Sequence, residues 1–400
     1  MASALLRTHA GRKDFRGIGV SELDSVDLSV IIVNYNVAAL VGEAVASLQR
    51  QQFRAEDGRE GHLEVIVVDN ASSPADLAVL DELPPDTRQI RNRENRGFAA
   101  AINLGIEQAC GRYLCLLNPD TVVLEGALDI LLRHCARHPE VGAVGPRIWA
   151  DRDRTLLLPP GDPPTLTFLV GRLIADILPT WSGASDSRWH RDAMAVWRSR
   201  EPTDVPMLSG ACILTRRAVL DRVGGFDSGY FLYYEDTDWC RRVRLAGYRL
   251  VYVPEAEIVH YFNQSAQQIV VAAQGHASRS QARFVDIHYG LPGRLVYSAV
   301  RALHRRLARR APVMPPEVID MGIQTDPPRW RLPDATSGCE RVVEIGFDTR
   351  LIPSAAAFVR GDEYRFPPAV WARLQPGRYC ARMLDTETLK PLGVWSWVKG

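Results

Sequence analysis

The chain has 400 residues, of which 46% are hydrophobic and 24% are charged, and its net charge is +1. This composition is typical of a globular protein and excludes a disordered or collagen-like chain, and the length predicts one large domain with a smaller one. The balanced charge gives no positive field of the kind that attracts nucleic acid, so no nucleic-acid partner is expected.

In chain order, we expect a mobile arm at residues 1–27 and then a strand–helix repeat. Nearly continuous apolar runs predict buried strands at residues 28–33, 63–68 and 112–117. Apolar residues at helical spacing predict helices at residues 38–51, 76–83 and 97–110, with a short strand at 88–90. This order is typical of βαβ units, which place parallel strands side by side in one sheet.

The middle of the chain continues this pattern on both sides of an irregular stretch. It predicts helices at residues 126–138, 216–223 and 237–246, and strands at 143–148, 207–215, 249–253 and 258–260. Residues 151–206 break the pattern with several prolines and contain one helix candidate, at 165–178. Such an insertion either shapes access to a site or is a packed surface excursion, and the sequence leaves both open.

Residues 276–315 predict a helical segment, at 277–311, that ends in a proline-bearing linker. The helix is broken at residues 290–293, and beyond the break an apolar stripe is flanked by arginines. A basic amphipathic helix of this kind suits peripheral contact with an anionic membrane surface, here through residues 291–310. The alternative is a helix docked on its own domain with a solvated basic face.

The last segment, residues 316–400, predicts a small β-rich accessory domain. Short alternating runs occur at 342–347, 357–359, 378–383 and 394–398, and turn residues separate them, which favours antiparallel strands. Trp371, Trp395 and Trp397 either line a sugar-binding face or form the core, and the core interpretation is favoured.

Acidic side chains follow the predicted strands in places where a ligand site is expected. Asp69 ends one apolar run and Asp120 follows another, while residues 235–238 place three acids among aromatic residues. Carboxylates rarely occupy apolar surroundings without a partner or a chemical task. A parallel sheet brings such strand ends to one edge, where open α/β sheets bind ligands. We therefore expect an enzyme that holds a nucleotide at this edge and uses a carboxylate to activate an acceptor.

Eight short motifs then occur in order, and they carry a family resemblance. They are SVIIVNYN (29–36), VVDNAS (67–72), NRGFAAAIN (95–103), LNPD (117–120), SGA (209–211), GFD (225–227), YEDTD (234–238) and VH (259–260). Together they resemble the family 2 inverting glycosyltransferases, in particular the bacterial rhamnosyltransferase-like branch. The resemblance implies a GT-A fold over residues 28–275, which is an α/β architecture with a Rossmann-like mixed sheet flanked by helices.

The resemblance also implies a set of residues that bind the nucleotide-sugar donor. They are Asn34, Tyr35, Asp69, Asn95, Arg96, Gly97, Asn103, Asn118, Ser209 and Gly210. The carboxylate of Asp69 suits a hydrogen bond from a base or ribose, and capping of a helix is the less favoured alternative. Arg96 precedes a helix whose amides suit phosphate oxygens, or else it is a surface charge. The small residues Ser209 and Gly210 leave room for the donor sugar.

A metal site is implied at residues 118–120, where the family usually has Asp-x-Asp. Here Asn118 replaces the first aspartate, so Asp120 is the one charged ligand in the motif. His260 matches a histidine that completes the metal shell in relatives, although a lone histidine is more often structural. Oxygen and imidazole ligands suit Mg²⁺ or Mn²⁺, and the imidazole favours Mn²⁺.

The catalytic residues implied by the resemblance are Asp236, as the general base, and its neighbour Glu235. The expected reaction is the inverting transfer of a hexose, with dTDP-rhamnose favoured as the donor, to a glycan or a lipid-linked acceptor. We expect Glu235 and Asp238 to raise the pKa of Asp236, and either one alternatively binds the acceptor or caps the following helix. The motifs of dehydrogenases and P-loop nucleoside-triphosphate hydrolases do not occur in the sequence.

Two alternatives to this function stay open. A polyprenyl-phosphate sugar transferase has the same fold, and a non-catalytic carbohydrate-binding scaffold would use the β-rich domain. The sequence contains neither an apolar window as long as a membrane span nor a signal peptide, and no Cys-x-x-Cys pair. We therefore expect a cytoplasmic protein with reduced thiols, peripheral at the inner face of the cytoplasmic membrane if the basic helix binds there. Nothing in the sequence predicts the oligomeric state.

Overall fold

The protein was analysed as a computed structural model that describes residues 26–159, 161–162, 165–177, 179–261, 270–307, 318–331, 340–361 and 363–400. The strands are β1 (Leu28–Asn34), β2 (Leu63–Asp69), β3 (Arg88–Arg91), β4 (Tyr113–Leu117), β5 (Thr121–Val123), β6 (Val141–Trp149), β7 (Thr203–Asp204), β8 (Cys212–Arg216), β9 (Arg249–His260), β10 (Val318–Gln324), β11 (Arg329–Arg331), β12 (Glu340–Gly346), β13 (Ala355–Arg360), β14 (Glu363–Arg365), β15 (Gly377–Asp385) and β16 (Pro391–Lys399). The helices are α1 (Ala38–Leu48), α2 (Pro74–Leu80), α3 (Phe98–Gln108), α4 (Ala127–Arg137), α5 (Leu166–Ala175), α6 (Pro179–Arg198), α7 (Arg217–Val223), α8 (Glu235–Leu245), α9 (Val270–Leu307) and α10 (Pro368–Arg373).

A mixed sheet forms the centre of the larger part of the molecule. Among the described residues its strand order is β3-β2-β1-β4-β8-β6-β9-β5, and β7 pairs with β9. Strands β1 to β4 are parallel, whereas β8 runs antiparallel to β4 and to β6. The predicted α/β fold class, a mixed sheet flanked by helices, is confirmed. Strand β5, at Thr121–Val123, was not predicted.

Helices cover both faces of this sheet, which explains the nearly continuous apolar runs in its central strands. In β1, Val30 and Ile32 pack into the core on one face, and Ile31 and Val33 pack into the core on the other. All seven residues of β1 are buried. Because successive side chains of a strand alternate between faces, a strand covered on both sides is apolar at most of its positions.

The insertion at 151–206 contains a second helix, α6, that the sequence analysis missed. Trp189, Ala193 and Trp197 recur at four-residue intervals and pack against the second sheet. This spacing is a helical signal, but the prolines and polar residues around it obscured the pattern. Leu157 pairs with Ala356 through two backbone hydrogen bonds of 2.8 Å, so the insertion is joined directly to the C-terminal sheet.

The C-terminal part is a five-stranded sheet of order β10-β16-β15-β12-β13. Its pairs are antiparallel as predicted except for β10 with β16, which are parallel, and β10 was not predicted. Trp371, Trp395 and Trp397 are buried, which confirms the core interpretation over a sugar-binding face.

A buried ionic cluster fixes the insertion to this second sheet. His190 Nδ1 lies 2.7 Å from Glu344 Oε1, and Arg382 Nη2 donates to Glu344 Oε2 at 2.6 Å. Burial acts to raise the pKa of the Glu344 carboxyl, whereas the hydrogen bond to His190 and the charge of Arg382 act to lower it. The lowering effects together are larger, so the pKa is below its ordinary value. The cluster therefore connects α6, β12 and β15.

Helix α9 has the predicted break: Gly290 has φ +58° and ψ −157°, and Pro292 follows. No helix in the described residues is long and apolar enough to cross a membrane. Residues 1–25 of the predicted arm, Arg309 and Arg310 of the basic helix, and the linker at 311–316 lie outside the described residues. The predicted domain boundaries remain predictions.

Candidate active site

The strand ends that carry the predicted site residues meet at one edge of the central sheet. Asn34 and Asp69 are register neighbours at the ends of β1 and β2. Strand β4 is parallel to β1, so Asn118 follows at the same edge, where its N–H donates to the carbonyl of Ala211 at 3.0 Å. Strand β8 is antiparallel and begins where β4 ends, which brings Ser209 and Gly210 to the same place.

A cavity of about 270 Å³ opens at this edge, and most of the predicted site residues line it. The predicted residues in its wall are Tyr35, Asn95, Gly97, Asn118, Ser209, Gly210, Glu235, Asp236 and His260. Residues far apart in the sequence therefore share one cavity.

Asn34 and Asp69 lie in a buried hydrogen-bond network beside the cavity, not in its wall. Asn34 Nδ2 donates to Asp69 Oδ1 at 2.9 Å and to Asp76 Oδ2 at 2.7 Å. The other oxygen of Asp69 accepts from the N–H of Ser72 at 3.2 Å. The predicted contact of these two side chains with the donor remains untested, and the network fixes the turns after β1 and β2.

Asn70 lines the cavity but was not among the predicted site residues. Its Nδ2 donates to Asn95 Oδ1 at 2.8 Å, and its Oδ1 accepts from Asn92 Nδ2 at 3.1 Å and from the Arg96 N–H at 3.2 Å. One side chain thus holds the loop before α3. The signal for this residue was present, because Asn70 lies inside the VVDNAS motif.

Arg96 and Asn103 lie outside the cavity wall. The Arg96 side chain is exposed. Asn103 Nδ2 donates to the carbonyl of Phe226 at 2.6 Å, and Asn103 Oδ1 accepts from the Phe226 N–H at 2.8 Å. Asn103 therefore braces the GFD segment, and its predicted contact with the donor remains untested.

Gly97 allows the loop before α8 to approach α3 closely. Its φ is +84°, and a Cβ at this position would lie 2.7 Å from the carbonyl oxygen of Phe231. The same oxygen accepts from the Phe98 N–H at 2.7 Å. Only glycine meets both the backbone conformation and the close approach without strain.

Asp120, His260 and Asn118 converge beside the cavity. His260 Nε2 lies 3.1 Å from Asp120 Oδ1 and 3.4 Å from Asn118 Nδ2. Strand β5 pairs with the end of β9, which places Asp120 and His260 side by side. Among the described residues, no group of three or more His, Cys, Asp or Glu side chains would hold a metal ion. One carboxylate and one imidazole fit Mg²⁺ or Mn²⁺ if donor phosphate oxygens complete the shell.

Asp236 lies at the N-terminus of α8 and is fixed by backbone amides. Its Oδ2 accepts from the Gly210 N–H at 3.0 Å, and its Oδ1 accepts from the Thr237 N–H at 2.6 Å. A Cβ on Gly210 would lie 2.8 Å from Asp236 Oδ2, so this contact requires glycine. Burial raises the pKa of Asp236, and the hydrogen bonds from Thr237 and Gly210 oppose the increase.

Glu235 and Asp238 have different surroundings from Asp236. Burial and the adjacent charge of Asp236 raise the pKa of Glu235 to about 8, and its Oε2 has no hydrogen-bond partner among the described residues. Burial also acts to raise the pKa of Asp238, but hydrogen bonds from His288 at 2.7 Å and Arg242 at 2.8 Å lower it overall. Asp238 therefore connects α8 to α9, outside the cavity wall.

A match to a family model identifies the chain as a glycosyltransferase, which agrees with its mixed sheet of the GT-A type. The model of the family named Glycosyl transferase family 2 matches residues 29–224. The chain belongs to this family.

Its relatives include several rhamnosyltransferases. An N-acetylglucosaminyl-diphospho-decaprenol L-rhamnosyltransferase of Mycobacterium tuberculosis is 30% identical over 247 residues, which cover 58% of this chain and 76% of the relative. The rhamnosyltransferase WbbL of Escherichia coli is 49% identical over 59 residues, or 15% of this chain and 22% of the relative. A solved mannosyltransferase of Pyrobaculum calidifontis, in complex with GDP-Man and Mn²⁺, is 20% identical with a TM-score of 0.41, covering 70% of this chain and 75% of that one.

Proposed function

We propose that the protein transfers rhamnose from dTDP-rhamnose to a hydroxyl of a lipid-linked glycan, with inversion at the anomeric carbon. The observation that carries this proposal is the position of Asp236. Its half-buried carboxylate lies in the wall of the cavity, held by the amides of Gly210 and Thr237. The choice of rhamnose rests on the relatives named above.

The donor occupies the polar side of the cavity. Tyr35, Asn70 and Asn95 offer a ring and amide groups to the nucleoside, and the N-terminus of α3 lies nearby. Backbone N–H groups at a helix N-terminus favour phosphate oxygens. Ser209 and Gly210 leave space for the sugar next to Asp236.

The chemical step requires removal of one proton. The acceptor hydroxyl oxygen forms a bond to the anomeric carbon while the bond from that carbon to the diphosphate oxygen breaks. The hydroxyl proton moves to the carboxylate of Asp236, and the nucleoside diphosphate leaves with its electron pair. General-base catalysis of this kind typically contributes about 10²–10⁴-fold.

We expect a divalent cation to bind together with the donor diphosphate. Asp120 and His260 would hold it. When bound, such an ion stabilises negative charge on a departing diphosphate. The His260 Nε2 atom lies 3.1 Å from Asp120 Oδ1, so both atoms are close enough to contact one ion, which would replace the hydrogen bond between them.

The choice of acceptor rests on the relatives and on the base. The named Mycobacterium relative acts on a decaprenol-linked diphosphosugar. A polyprenyl phosphate is already a nucleophile and needs no base, so a carboxylate in the cavity wall favours a hydroxyl acceptor over that alternative.

A transfer assay tests the proposal. The full chain with Mn²⁺ is expected to transfer rhamnose from dTDP-rhamnose to a synthetic alkyl N-acetylglucosaminyl diphosphate. Mass spectrometry would detect the product, and NMR would show inversion at the new bond. Transfer from another nucleotide sugar alone would contradict the choice of donor, and transfer to a bare lipid phosphate alone would contradict the choice of acceptor.

We also propose that α9 contacts the inner face of the cytoplasmic membrane beyond its break at Gly290. Leu291, Leu295 and Leu303 are 58%, 61% and 50% exposed. Residues 291–307 include four arginines and no acidic residue. Exposed leucines among arginines suit a surface of anionic lipids.

Vesicle sedimentation tests this contact. The double variant Leu295→Ser/Leu303→Ser is expected to bind anionic vesicles at least about tenfold more weakly than wild type, since each buried leucine contributes ~1.5–3 kcal/mol. The matched control, Ile319→Ser/Ile323→Ser, removes exposed apolar residues of β10 and should bind as wild type does. Equal binding by wild type and the α9 variant would contradict the contact.

A further inference from the structure

A second cavity, of about 540 Å³, also has Asp236 in its wall. It shares Ser209, Tyr233, Asp236 and His260 with the first cavity, so these residues form the common wall. A general base in an inverting transfer must contact the acceptor hydroxyl on the side away from the leaving diphosphate. A carboxylate in the wall between two cavities meets this requirement if each cavity holds one substrate.

We propose that the second cavity is the acceptor site, and that it binds an amphiphile whose sugar hydroxyl lies at Asp236 and whose apolar stem lies against the partly exposed Phe168, Met207 and Ala277. This inference rests on the proposed function and deepens it, because it names the substrate class of the same site. The contacts proposed for the apolar stem involve neither the donor nor the metal.

The lining of the second cavity is mainly apolar. Phe168 and Leu169 come from α5, Phe284 and Ala277 come from α9, and Met207 comes from the segment before β8. An acceptor that was only a sugar would leave this apolar surface in contact with water. An alkyl stem removes it from water, which contributes about 0.8 kcal/mol per buried CH₂, or roughly fourfold in affinity.

The two carboxylates in this cavity, Asp162 and Asp236, have different hydrogen-bond partners. This difference indicates which of them is able to act as the base. Asp162 accepts from Trp189 Nε1 at 3.1 Å and from Arg172 at 3.4 Å, so its charge is compensated. Asp236 accepts hydrogen bonds from amides and the Thr237 hydroxyl and has no ion pair with an arginine or lysine in the described part of the chain. Asp236 is therefore the carboxylate suited to take a proton from an acceptor.

The insertion and the C-terminal sheet complete this cavity. Helix α5 belongs to the insertion at 151–206, and Pro353 reaches the cavity from the second sheet. The part of α9 before its break contributes Ala277 and Phe284 to the cavity. The part after the break carries the exposed leucines of the proposed membrane contact. One helix thus joins the stem site to the surface on which a lipid-linked acceptor would be presented.

The test measures binding without turnover. Calorimetry on the full chain would compare decyl N-acetylglucosaminyl diphosphate with the methyl analogue, which has the same head group. Wild type is expected to bind the decyl probe at least about tenfold more tightly. Ala277→Trp, which fills the cavity from the side of α9, is expected to lower affinity for the decyl probe about tenfold and to leave the methyl probe unchanged.

Two variants act as controls. Arg279→Trp introduces the same side chain two residues further along α9 at an exposed position, and it should bind both probes as wild type does. The α9 variant Leu295→Ser/Leu303→Ser should also keep its preference for the decyl probe, which separates the cavity from the membrane contact. A second lining variant, Phe168→Gln, should reduce the decyl preference if Ala277→Trp does not fold.

The outcomes separate this inference from the proposed function. Equal affinity of wild type for the two probes, or a decyl preference that survives both lining variants, would overturn the acceptor site. A decyl preference lost in the lining variants would support the site even if no rhamnose were transferred, and only the proposed function would then fail.

Discussion

Replacing Asp236 with asparagine is expected to lower kcat for rhamnose transfer by about 10²–10⁴-fold and to leave the Kd of the donor within a factor of about three. Asparagine has nearly the same shape but does not accept a proton from the acceptor hydroxyl. Asparagine has one side-chain oxygen, so it keeps one of the two amide contacts, from Gly210 or from Thr237, and the cavity should persist. Steady-state kinetics and calorimetry with dTDP-rhamnose would measure the two effects separately.

The pH profile gives the same prediction a second readout. The base must be ionised to act, and burial raises the pKa of Asp236 in the wild type. Transfer should therefore fall as the pH decreases through this raised pKa, by about tenfold per unit below it. In the asparagine variant this acidic limb should be absent. Asp221→Asn, at an exposed acid on α7, is the matched control and should behave as wild type does. Unchanged kcat in the Asp236 variant would remove Asp236 as the base.

Replacing His260 with alanine is expected to weaken Mn²⁺ binding and to lower kcat/KM by roughly 100-fold, since metal stabilisation of a leaving group is worth several kcal/mol. Asp120 would then be the one predicted metal ligand left in the cluster. Electron paramagnetic resonance of free Mn²⁺ would measure binding directly in the presence of dTDP. Removal of the ion with EDTA should abolish transfer by the wild type, and added Mn²⁺ should restore it.

The exposed His62 provides a matched control for this substitution. His62→Ala should leave both Mn²⁺ binding and transfer unchanged, since His62 lies at the start of β2, away from the cavity wall. If His260→Ala still bound Mn²⁺ as tightly as the wild type does, His260 would be a structural residue rather than a ligand.

The sequence predicted the central sheet well because each strand carries its own signal. Strands β1, β2 and β4 each contain a nearly continuous apolar run, and this pattern needs no knowledge of distant contacts. Polar motifs at the strand ends then followed from the geometry of parallel strands. Helix α6 was missed because its apolar spacing is sparse and needs the second sheet as a partner.

The sequence predicted which residues belong to the site better than it predicted how their side chains are arranged. The motifs contain Asn34, Asp69 and Asn70, but only the structure separates a buried network from a cavity wall, with Asn70 in the wall. The second cavity depends on contacts between residues far apart, such as Phe168, Asp236 and Phe284, and no local pattern predicts those. The roles of the site residues remain predictions that the variants above would test.

A crystal structure of the full chain with dTDP and Mn²⁺, recorded with anomalous scattering from manganese, tests the central claim most directly. We expect the manganese peak between Asp120 and His260 and the nucleotide against Tyr35, Asn70 and Asn95, with the diphosphate directed toward Asp236. A nucleotide bound elsewhere on the protein, or a manganese ion away from His260, would contradict the account.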